Sequence, residues 1–408
     1  MKGMFSMWSF FGLTLWIDIG THVFKRKKNR KIDPYNPVRE VSVLIPIHKE
    51  PIGYIKQTID ALYYDRYPLK NVIICGDKMS ANGRDIVKRM MGEYNNLIYL
   101  ESPHQSKAKK INYAVNELKD ALGEFVYLRD CRVYGYYDCI EKMVSYFSDD
   151  NVAAVTSYGR VNTPKNFLSR CFFYGKSWVN DMGRFRKNAQ EKRKAIFVIC
   201  GASTLFRTEV IRKVPIPGRT KTEDAHYTWI LQRKGYEIRV ADDATVAAPE
   251  VDGETLFDGI KAQIKQSYRW SVGTTQTMYV EGRGLFKNKR LAYTTIVPGF
   301  FEAVSYAVPL VLIPLLLYII PFYAMGFLIG DTIFSLLATL IIMPKKFGKT
   351  VLHYPQIMFF KYINALVFFA ALSVVTTQAV TGKSDKWSNE WISPDTGAIG
   401  MSSIGNEM

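Results

Sequence analysis

The hydrophobic positions of this chain follow two different patterns. Between residues 41 and 250, short β-branched runs such as 41–46 (VSVLIP) and 72–75 (VIIC) are separated by amphipathic, helix-like segments such as 52–64. Strand, helix and strand at this spacing predict a doubly wound, mostly parallel α/β sheet. From residue 298 onward the apolar runs become long and almost continuous, which is typical of membrane-spanning helices.

Acidic residues follow three of the predicted strands. Glu50 lies beyond the first run, Asp77 beyond the second, and Asp130 follows the strand-like run 125–128. Ligands of doubly wound sheets bind beyond the carboxyl ends of the strands, so we expect Glu50 and Asp77 to lie where a carboxylate can receive the base and ribose of a nucleotide. Asp77 would also fit an ordinary turn before a helix.

The predicted membrane segments are 4–24, 302–320, 322–343 and 357–380. A basic run, 25–31, follows the first of them, and 344–349 is a basic loop between the last two, so both are expected in the cytoplasm. A cleaved signal peptide would carry its positive charge before the apolar stretch and a small-residue cleavage site after it, so the sequence favours an anchor over a signal peptide. That stretch would also fit an amphipathic helix on the membrane surface. One span before the domain and three after it would place the tail outside, unless one segment does not span.

The composition favours some classes of binding partner over others. Lys and Arg number 54 against 37 Asp and Glu, giving a formal charge of +17, which favours acidic lipids or nucleotides as partners. We expect no nucleic acid, because no basic stripe is interleaved with aromatic residues. The five cysteines show no metal-ligand spacing and fit a reducing, cytoplasmic location.

Two polar clusters carry the candidate chemistry. Thr222-Glu223-Asp224 places two carboxylates and a hydroxyl group before the helix-like run 225–231, so Asp224 could accept a proton at a pocket entrance. The run 266–270 (QSYRW) offers an amide, a cation and an indole, groups that suit a phosphate and a sugar face. Alone, the first cluster would fit a helix N-cap, and the second an amphipathic surface helix.

In this order, and followed by an apolar region, the two clusters resemble the TED and QxxRW motifs of the membrane-bound family 2 glycosyltransferases, which include cellulose, chitin and hyaluronan synthases. The segment that begins at Lys107 (KAKKIN) is similar to the nucleotide-contacting segment of that family, with Lys107 and Asn112 at the matching positions. Residues 194–203 resemble its acceptor-side segment, a strand that enters a small-residue turn at Gly201.

The resemblance implies an α/β nucleotide-diphospho-sugar transferase fold of the GT-A type. It implies Asp224 as the catalytic base with Glu223 beside it. The implied donor-binding residues are Glu50, Asp77, Lys107, Asn112, Asp130 and Arg132. The residues implied to contact the diphosphate and the acceptor are Gly201, Gln266, Arg269 and Trp270.

The chain departs from the family at the Asp-x-Asp motif, which here reads Asp130-Cys131-Arg132. The motif implies that Asp130 holds Mg²⁺ or Mn²⁺ under the diphosphate, but an arginine cannot supply an oxygen ligand. Three interpretations stay open: Asp130 holds the metal with another residue, Arg132 replaces the metal as counter-charge, or the site is inactive.

The implied reaction is inverting transfer of a sugar from a nucleotide-sugar donor, such as a UDP-sugar, to a growing polysaccharide or glycan. Single-sugar transfer to a polyprenyl phosphate or lipid and a catalytically silent membrane scaffold are the alternatives. The expected protein is a multi-pass protein of the cell membrane that contacts lipids and has a cytosolic catalytic domain. The predicted regions are an anchor with its basic flank (1–31), a transferase domain (32–255), interfacial helices (256–297), membrane helices (298–381) and a tail (382–408).

Overall fold

The computed structural model describes residues 13–24, 38–161, 167–248, 256–285, 287–297, 318 and 321–387. Its centre is a sheet of eight strands in the order β3-β2-β1-β4-β7-β6-β8-β5. The strands are β1 (Val41–Pro46), β2 (Leu69–Gly76), β3 (Leu97–Glu101), β4 (Phe125–Arg129), β5 (Tyr134–Gly135), β6 (Val152–Val161), β7 (Ser203–Arg207) and β8 (Glu237–Ala248).

The sheet is mixed but mostly parallel, as predicted. Strands β3, β2, β1 and β4 run parallel, with Leu44 paired to both Ile73 and Leu128. Strand β7 is antiparallel to its neighbours β4 and β6, while β6 and β8 run parallel. The carboxyl ends of β1, β2 and β4 therefore meet the amino end of β7 at one edge, where the site forms.

Thirteen α-helices are assigned in the described residues. They are α1 (Leu13–Phe24), α2 (Ile52–Tyr63), α3 (Ala81–Met90), α4 (Lys107–Glu117), α5 (Cys139–Val144), α6 (Phe167–Lys192), α7 (Thr208–Lys213), α8 (Glu223–Arg233), α9 (Leu256–Leu285), α10 (Lys289–Leu291), α11 (Pro321–Ile342), α12 (Phe347–Leu352) and α13 (Tyr354–Val380). Short 3₁₀ turns cover Lys78–Ser80, Pro344–Lys346 and Lys383–Lys386, and a π-helical turn covers Ala292–Ile296.

Helices cover both faces of the sheet, so the central strands are apolar throughout. All six residues of β1 are buried, as expected for a strand with both faces covered. One core packs the sheet against α2, α3 and α5, through residues such as Ile59 and Met143. The other packs it against α4, α7 and α8, through residues such as Ile111 and Leu231.

The strand that the sequence predicts before Gly201 is not formed in the structure. Residues 194–202 are irregular, and the strand begins only at Ser203. The backbone N–H groups of Ile196, Ile199 and Cys200 donate to the side chains of Gln232, Thr228 and Thr156 instead of to a neighbouring strand. Side chains of α8 and β6 therefore hold this segment in place.

Helix α13 lies along α9 and α6. Ser267 donates a hydrogen bond to Asn364 at 2.6 Å, and Val272 of α9 belongs to one cluster with Ala371 and Val375 of α13. On the α6 side, Gly175 contacts the side chain of Phe360 so closely that a Cβ atom there would collide with it.

The predicted membrane segments are covered unevenly. The expected span 302–320 lies almost wholly outside the described residues. In the described part of the chain, α13 is the one helix that is long and apolar enough to cross a membrane. It corresponds to the predicted span 357–380, and α11 corresponds to the prediction 322–343. Of the predicted anchor 4–24 only α1 is described; its Asp18 forms ion pairs with Arg186 of α6 and with Arg193, the residue after α6.

Candidate active site

Two acidic residues and one backbone carbonyl group converge on one lysine at the sheet edge. The ammonium group of Lys107, at the start of α4, lies 2.6 Å from Asp130 Oδ1 and 3.1 Å from Glu223 Oε1. It also donates to the carbonyl oxygen of Gly201 at 3.2 Å. Burial would lower the pKa of Lys107, but the charges of Asp130 and Glu223 outweigh that effect and raise it. Lys107 therefore stays charged and holds three separate elements together.

Asp224 lies beside this cluster, in surroundings that disfavour its negative charge. Its Oδ2 accepts a hydrogen bond from the backbone N–H of Gly201 at 3.2 Å, and its Oδ1 accepts one from Ala225 at 2.8 Å. Burial, and next the charge of Glu223, raise the pKa of Asp224 to about 6, although Lys107 acts in the opposite direction. A carboxylate with this pKa is ionised at neutral pH and takes up a proton more readily than an ordinary aspartate.

A small pocket opens beside these residues. Lys107, Gly201, Glu223 and Asp224 form its polar side. Its other lining residues are mostly apolar: Ile111, Leu128, Ile199, Thr204, Phe206, Ile216 and Tyr227. Gly201 is required here because a Cβ atom at this position would lie 2.6 Å from Asp224 Oδ2. Gly201 therefore lies directly against Asp224, and its contact with the acceptor stays a prediction.

Asp77 is buried in a second charged cluster, one turn further along α4. Lys110 Nζ lies 2.6 Å and His48 Nδ1 lies 2.7 Å from Asp77 Oδ2. Burial alone would raise the pKa of Asp77, but the hydrogen bonds from Lys110 and His48 outweigh it, and the pKa is lowered. Asp77 also caps the turn at Lys78–Ser80 by accepting from Met79 N at 2.8 Å. The turn-residue interpretation of Asp77 therefore describes its position, and its contact with a nucleotide stays a prediction.

Arg132 points toward α2. Its backbone has a left-handed φ of 77°, its N–H donates to Thr58 Oγ1 at 3.0 Å, and its guanidinium carbon lies 4.8 Å from the centre of the Tyr54 ring. Burial raises the pKa of Glu50, and the positive charge of Arg132 offsets only part of that effect. Arg132, Tyr54 and Glu50 thus form a group at the end of β1.

The side-chain amide of Asn112 is engaged within the protein. It donates to the carbonyl oxygen of Ile216 and accepts from the N–H of Ile216, each at 2.9 Å. This pair of bonds positions the segment that leads to Thr222. A direct contact between Asn112 and the donor stays a prediction.

The helix that carries Gln266, Arg269 and Trp270 packs directly against the TED segment. A Cβ atom at Gly273 would lie 2.5 Å from the backbone nitrogen of Thr222, and the side chain of Gln276 accepts a hydrogen bond from Lys221 N at 3.0 Å. Thr222 is the N-cap residue of α8, but its hydroxyl group makes no capping bond. The N-cap interpretation is therefore right in position only.

Gln266 and Arg269 lie on the same face of α9 as Gly273, because their spacings are three and four residues. Arg269 is about 6 Å along the helix axis from Gly273. Within the described residues, no hydrogen bond or ion pair joins either side chain to Asp224, and Gln266 Oε1 is buried without a partner there. Trp270 is 46% exposed. The roles of these three residues at the diphosphate and the acceptor stay predictions.

Sequence reasoning missed the residues that join α8 to α9. His226 Nε2 lies 2.9 Å from Glu281 Oε1, and Glu281 also pairs with Arg233. Burial would raise the pKa of Glu281, but the hydrogen bond from His226 and the charge of Arg233 lower it. These contacts link residues about 50 positions apart, and no short-range sequence pattern indicates them. Lys110 and His48 were missed for the same reason.

The donor set at Asp130 does not fit a divalent cation well. Hard cations need several oxygen ligands, yet the carboxylate of Asp130 is already paired with Lys107 and position 132 is a guanidinium. The described residues contain no group of three or more His, Cys, Asp or Glu side chains placed to hold a metal. The expected Mg²⁺ or Mn²⁺ site at Asp130 therefore gains no further ligand from them.

Comparisons with known proteins bear on the family and the fold of this chain. The profile of glycosyl transferase family group 2 matches residues 137–377, which is more than half of the 408 residues, and that of glycosyl transferase family 2 matches residues 42–214. A cellulose synthase catalytic subunit from Xanthomonas axonopodis pv. citri is 26% identical over 65% of this chain and 36% of its own length. A hyaluronan synthase from Streptococcus pyogenes is 23% identical over 68% of this chain and 66% of its own length.

A solved structure shares the fold. The mannosyltransferase PcManGT from Pyrobaculum calidifontis, in complex with GDP-Man and Mn²⁺, superposes with a TM-score of 0.62 over 93% of this chain and 98% of that chain, at 17% identity. The predicted nucleotide-diphospho-sugar transferase fold of the GT-A type is thus confirmed. The curated relatives are longer, since this chain spans about a third of the cellulose synthase and about two thirds of the hyaluronan synthase. From the family matches, this chain belongs to the family 2 glycosyltransferases.

Proposed function

We propose that this chain is an inverting transferase that moves a sugar from a nucleotide-sugar donor to a hydroxyl group of a growing polysaccharide or glycan. The proposed donor is a UDP-sugar. The observation that carries the proposal is Asp224, a partly buried carboxyl group with a pKa of about 6 at the rim of a pocket. The similarity to cellulose and hyaluronan synthases supports polymer assembly as the outcome.

The proposed reaction is a single in-line displacement. The acceptor oxygen attacks the anomeric carbon from the side opposite the diphosphate, the bond between that carbon and the diphosphate oxygen breaks, and the acceptor proton passes to Asp224. One displacement inverts the anomeric centre. Gly201 N–H donates to Asp224 Oδ2 and Ala225 N–H donates to Oδ1, so each oxygen keeps one lone pair for the acceptor hydroxyl group.

The other site residues receive roles that fit their positions. Glu50 and Asp77 border the place where the nucleotide would lie, beyond β1 and β2. Arg269 could take two diphosphate oxygens through its planar guanidinium, and the half-exposed ring of Trp270 offers a flat face to a sugar of the acceptor. Glu223 keeps Lys107 in place and, by repulsion, contributes to the raised pKa of Asp224.

We also propose that the protein is a multi-pass membrane protein with this site in the cytosol. The apolar helix α13 and the basic runs 25–31 and 344–349 support this arrangement, because positive flanks stay on the cytoplasmic side. A nucleotide-sugar donor would then reach the site from the cytosol, while the acceptor and lipids lie on the membrane side of α9.

The test is transfer of label in membranes that contain the full chain, with a panel of radiolabelled nucleotide sugars and with membranes lacking the chain as control. A ladder of labelled products supports polymer assembly. One discrete lipid-soluble band would instead indicate single-sugar transfer to a lipid or polyprenyl phosphate. If no donor gives labelled product above the control, the proposal is wrong and the scaffold interpretation is favoured.

A further inference from the structure

The site contains a fixed cation at the place where its acids converge. Lys107 is 13% exposed, and its ammonium group lies within 3.2 Å of oxygen atoms from Asp130, Glu223 and Gly201. These oxygens come from the end of β4, the start of α8 and the segment before β7. Bridging acids from separate elements is what a bound metal ion does in many enzymes, and here a side chain does it.

A second fixed cation follows Asp130 in the chain. Arg132 holds a left-handed φ of 77°, a conformation that costs free energy in any residue except glycine and that is maintained at functional sites. Its backbone N–H donates to Thr58, its guanidinium group packs on Tyr54, and the buried side chain of Arg129 donates to the Val133 carbonyl oxygen at 2.6 Å. These contacts position Arg132 at the turn after β4.

Arg132 also changes the charge that a metal ion would meet. A carboxylate at this position attracts a divalent cation and donates oxygen ligands, whereas a guanidinium group repels the cation and offers only N–H donors. Within the motif Asp130-Cys131-Arg132, Asp130 is the one acid, and it is already paired with Lys107. The number of oxygen ligands in the motif and the positive charge of Arg132 therefore both disfavour a divalent ion at the motif.

We propose that this enzyme transfers its sugar without a divalent metal ion, and that Lys107 and Arg132 provide the positive charge that stabilises the leaving nucleoside diphosphate. The proposal rests on the proposed transferase function. In the reaction, Lys107 exchanges its bond to Asp130 for one to a diphosphate oxygen as negative charge develops there. The proton of the acceptor still passes to Asp224, so the metal-free route changes only how the leaving group is stabilised.

The first experiment does not depend on turnover. Mn²⁺ is titrated into the purified full chain, with and without UDP or GDP, and free Mn²⁺ is read from its six-line EPR signal. We expect the signal to match that of a protein-free solution with the same nucleotide. Uptake of one Mn²⁺ per chain would overturn the proposal, even if no sugar transfer had been found. Arg132→Asp restores the acidic position and is expected to create Mn²⁺ uptake.

The second experiment uses transfer of label. Wild-type activity in excess EDTA should stay within about twofold of the activity with added Mg²⁺ or Mn²⁺, because no metal supplies transition-state charge. Lys107→Met should lower transfer by about 10²–10³-fold, the range for loss of one group that stabilises developing charge. The exposed Lys109, on the same helix, gives the matched control Lys109→Met, which should leave transfer unchanged.

The outcomes separate the two proposals. Loss of transfer in EDTA with recovery in Mn²⁺ would overturn metal-free transfer but leave the transferase function intact. Equal transfer by Lys107→Met and Lys109→Met would also overturn it, because Lys107 would then supply no charge to the reaction. Absence of transfer under all conditions would count against the proposed function, while the EPR result would still decide whether the site binds a divalent ion.

Discussion

The surroundings of the Asp224 carboxyl group are less favourable for a negative charge than water is. Because burial and Glu223 raise its pKa to about 6, its ionised fraction changes within the range in which most enzymes are assayed. The base of the proposed reaction can therefore be followed by pH.

We predict that transfer by the wild-type enzyme rises about tenfold between pH 5 and pH 7 and then levels off, because the base must be ionised and its pKa is about 6. The measurement is kcat/KM against pH with saturating acceptor. Glu223→Gln removes the repulsion that contributes to the shift and should move the midpoint to lower pH. A profile that is flat from pH 5 to pH 7 would be inconsistent with Asp224 as the base.

The same pKa has a consequence for stability. The pKa of Asp224 is higher in the folded protein than its usual 3.8, so the folded state favours the neutral carboxyl group. This contribution is fully present below pH 3.8 and is lost as the pH rises through about 6. The ionised base therefore destabilises the fold at the pH at which it works.

Asp224→Asn should thus stabilise the protein at pH 8, by up to about 3 kcal/mol on the scale of 1.4 kcal/mol per pKa unit, and should have little effect near pH 4. Thermal unfolding of the detergent-solubilised protein at the two pH values measures this. Asp120→Asn, at an exposed position, is the control and should have no effect at either pH. A lower unfolding temperature for Asp224→Asn at pH 8 would show that burial does not disfavour the charge.

At the residue scale, the sequence predicted which charged residues come together better than it predicted the other side chains that they contact. Glu223, Asp224, Lys107 and Asp130 do come together, because each follows a recognisable strand or precedes a helix. The pairing of Asp77 with Lys110 and His48 was not predictable, since it depends on which side of α4 faces the sheet. The direction of Arg132 was likewise fixed by its left-handed backbone, which no local pattern indicates.

Helix α9 is the element that connects the two motifs. Gly273 allows it to approach Thr222 so closely that no side chain fits between them, and Gln276 holds Lys221. Because the base is only two residues beyond Thr222, any displacement of α9 is passed directly to Asp224.

We therefore predict that Gly273→Ala lowers kcat about 10–100-fold, since a displacement on the order of 1 Å at a reacting group can cost that much. The chain offers a matched control on the same helix. A Cβ atom at Gly282 would meet nothing within 4 Å, so Gly282→Ala should keep full activity and stabilise the helix by about 0.5–1 kcal/mol. Equal activity of the two variants would contradict a positioning role for α9.

At the element scale, the predicted strands 41–46 and 125–128 and the helix 52–64 match β1, β4 and α2 to within one residue or so. Their apolar periodicity is strong because both faces of the sheet are covered. The segment before Gly201 was predicted as a strand and is irregular, because Gln232, Thr228 and Thr156 satisfy its backbone N–H groups. Such long-range side-chain bonds leave no periodic signal.

The catalytic domain and the apolar helices form one packed unit in the described residues. Helix α13 contacts both α9 and α6, and it also carries Lys361, whose ammonium group lies 2.8 Å from Asp331 Oδ1 of α11. Both side chains are less than 10% exposed. The length and apolarity of these helices were predictable from hydropathy, but their packing against α6 and α9 was not.

Lys361→Met is predicted to destabilise the protein by about 3–5 kcal/mol, because it leaves Asp331 buried without its counter-charge. The double variant Asp331→Asn with Lys361→Met should recover most of that loss. Thermal unfolding in detergent provides the measurement, and Lys349→Met, at an exposed position of α12, is the control. If the single and double variants were equally destabilised, the pair would not be coupled.

The central claim is that Asp224 takes the proton from the hydroxyl group of the acceptor. The most direct test measures two properties of the Asp224→Asn variant, its turnover and its affinity for the donor nucleotide. Asparagine keeps the size of the side chain but cannot accept the proton. We predict that kcat falls by about 10²–10⁴-fold, that the affinity for UDP measured by calorimetry stays within a few-fold of wild type, and that the residual activity no longer depends on pH around 6. Turnover by Asp224→Asn close to that of the wild-type enzyme would contradict the account.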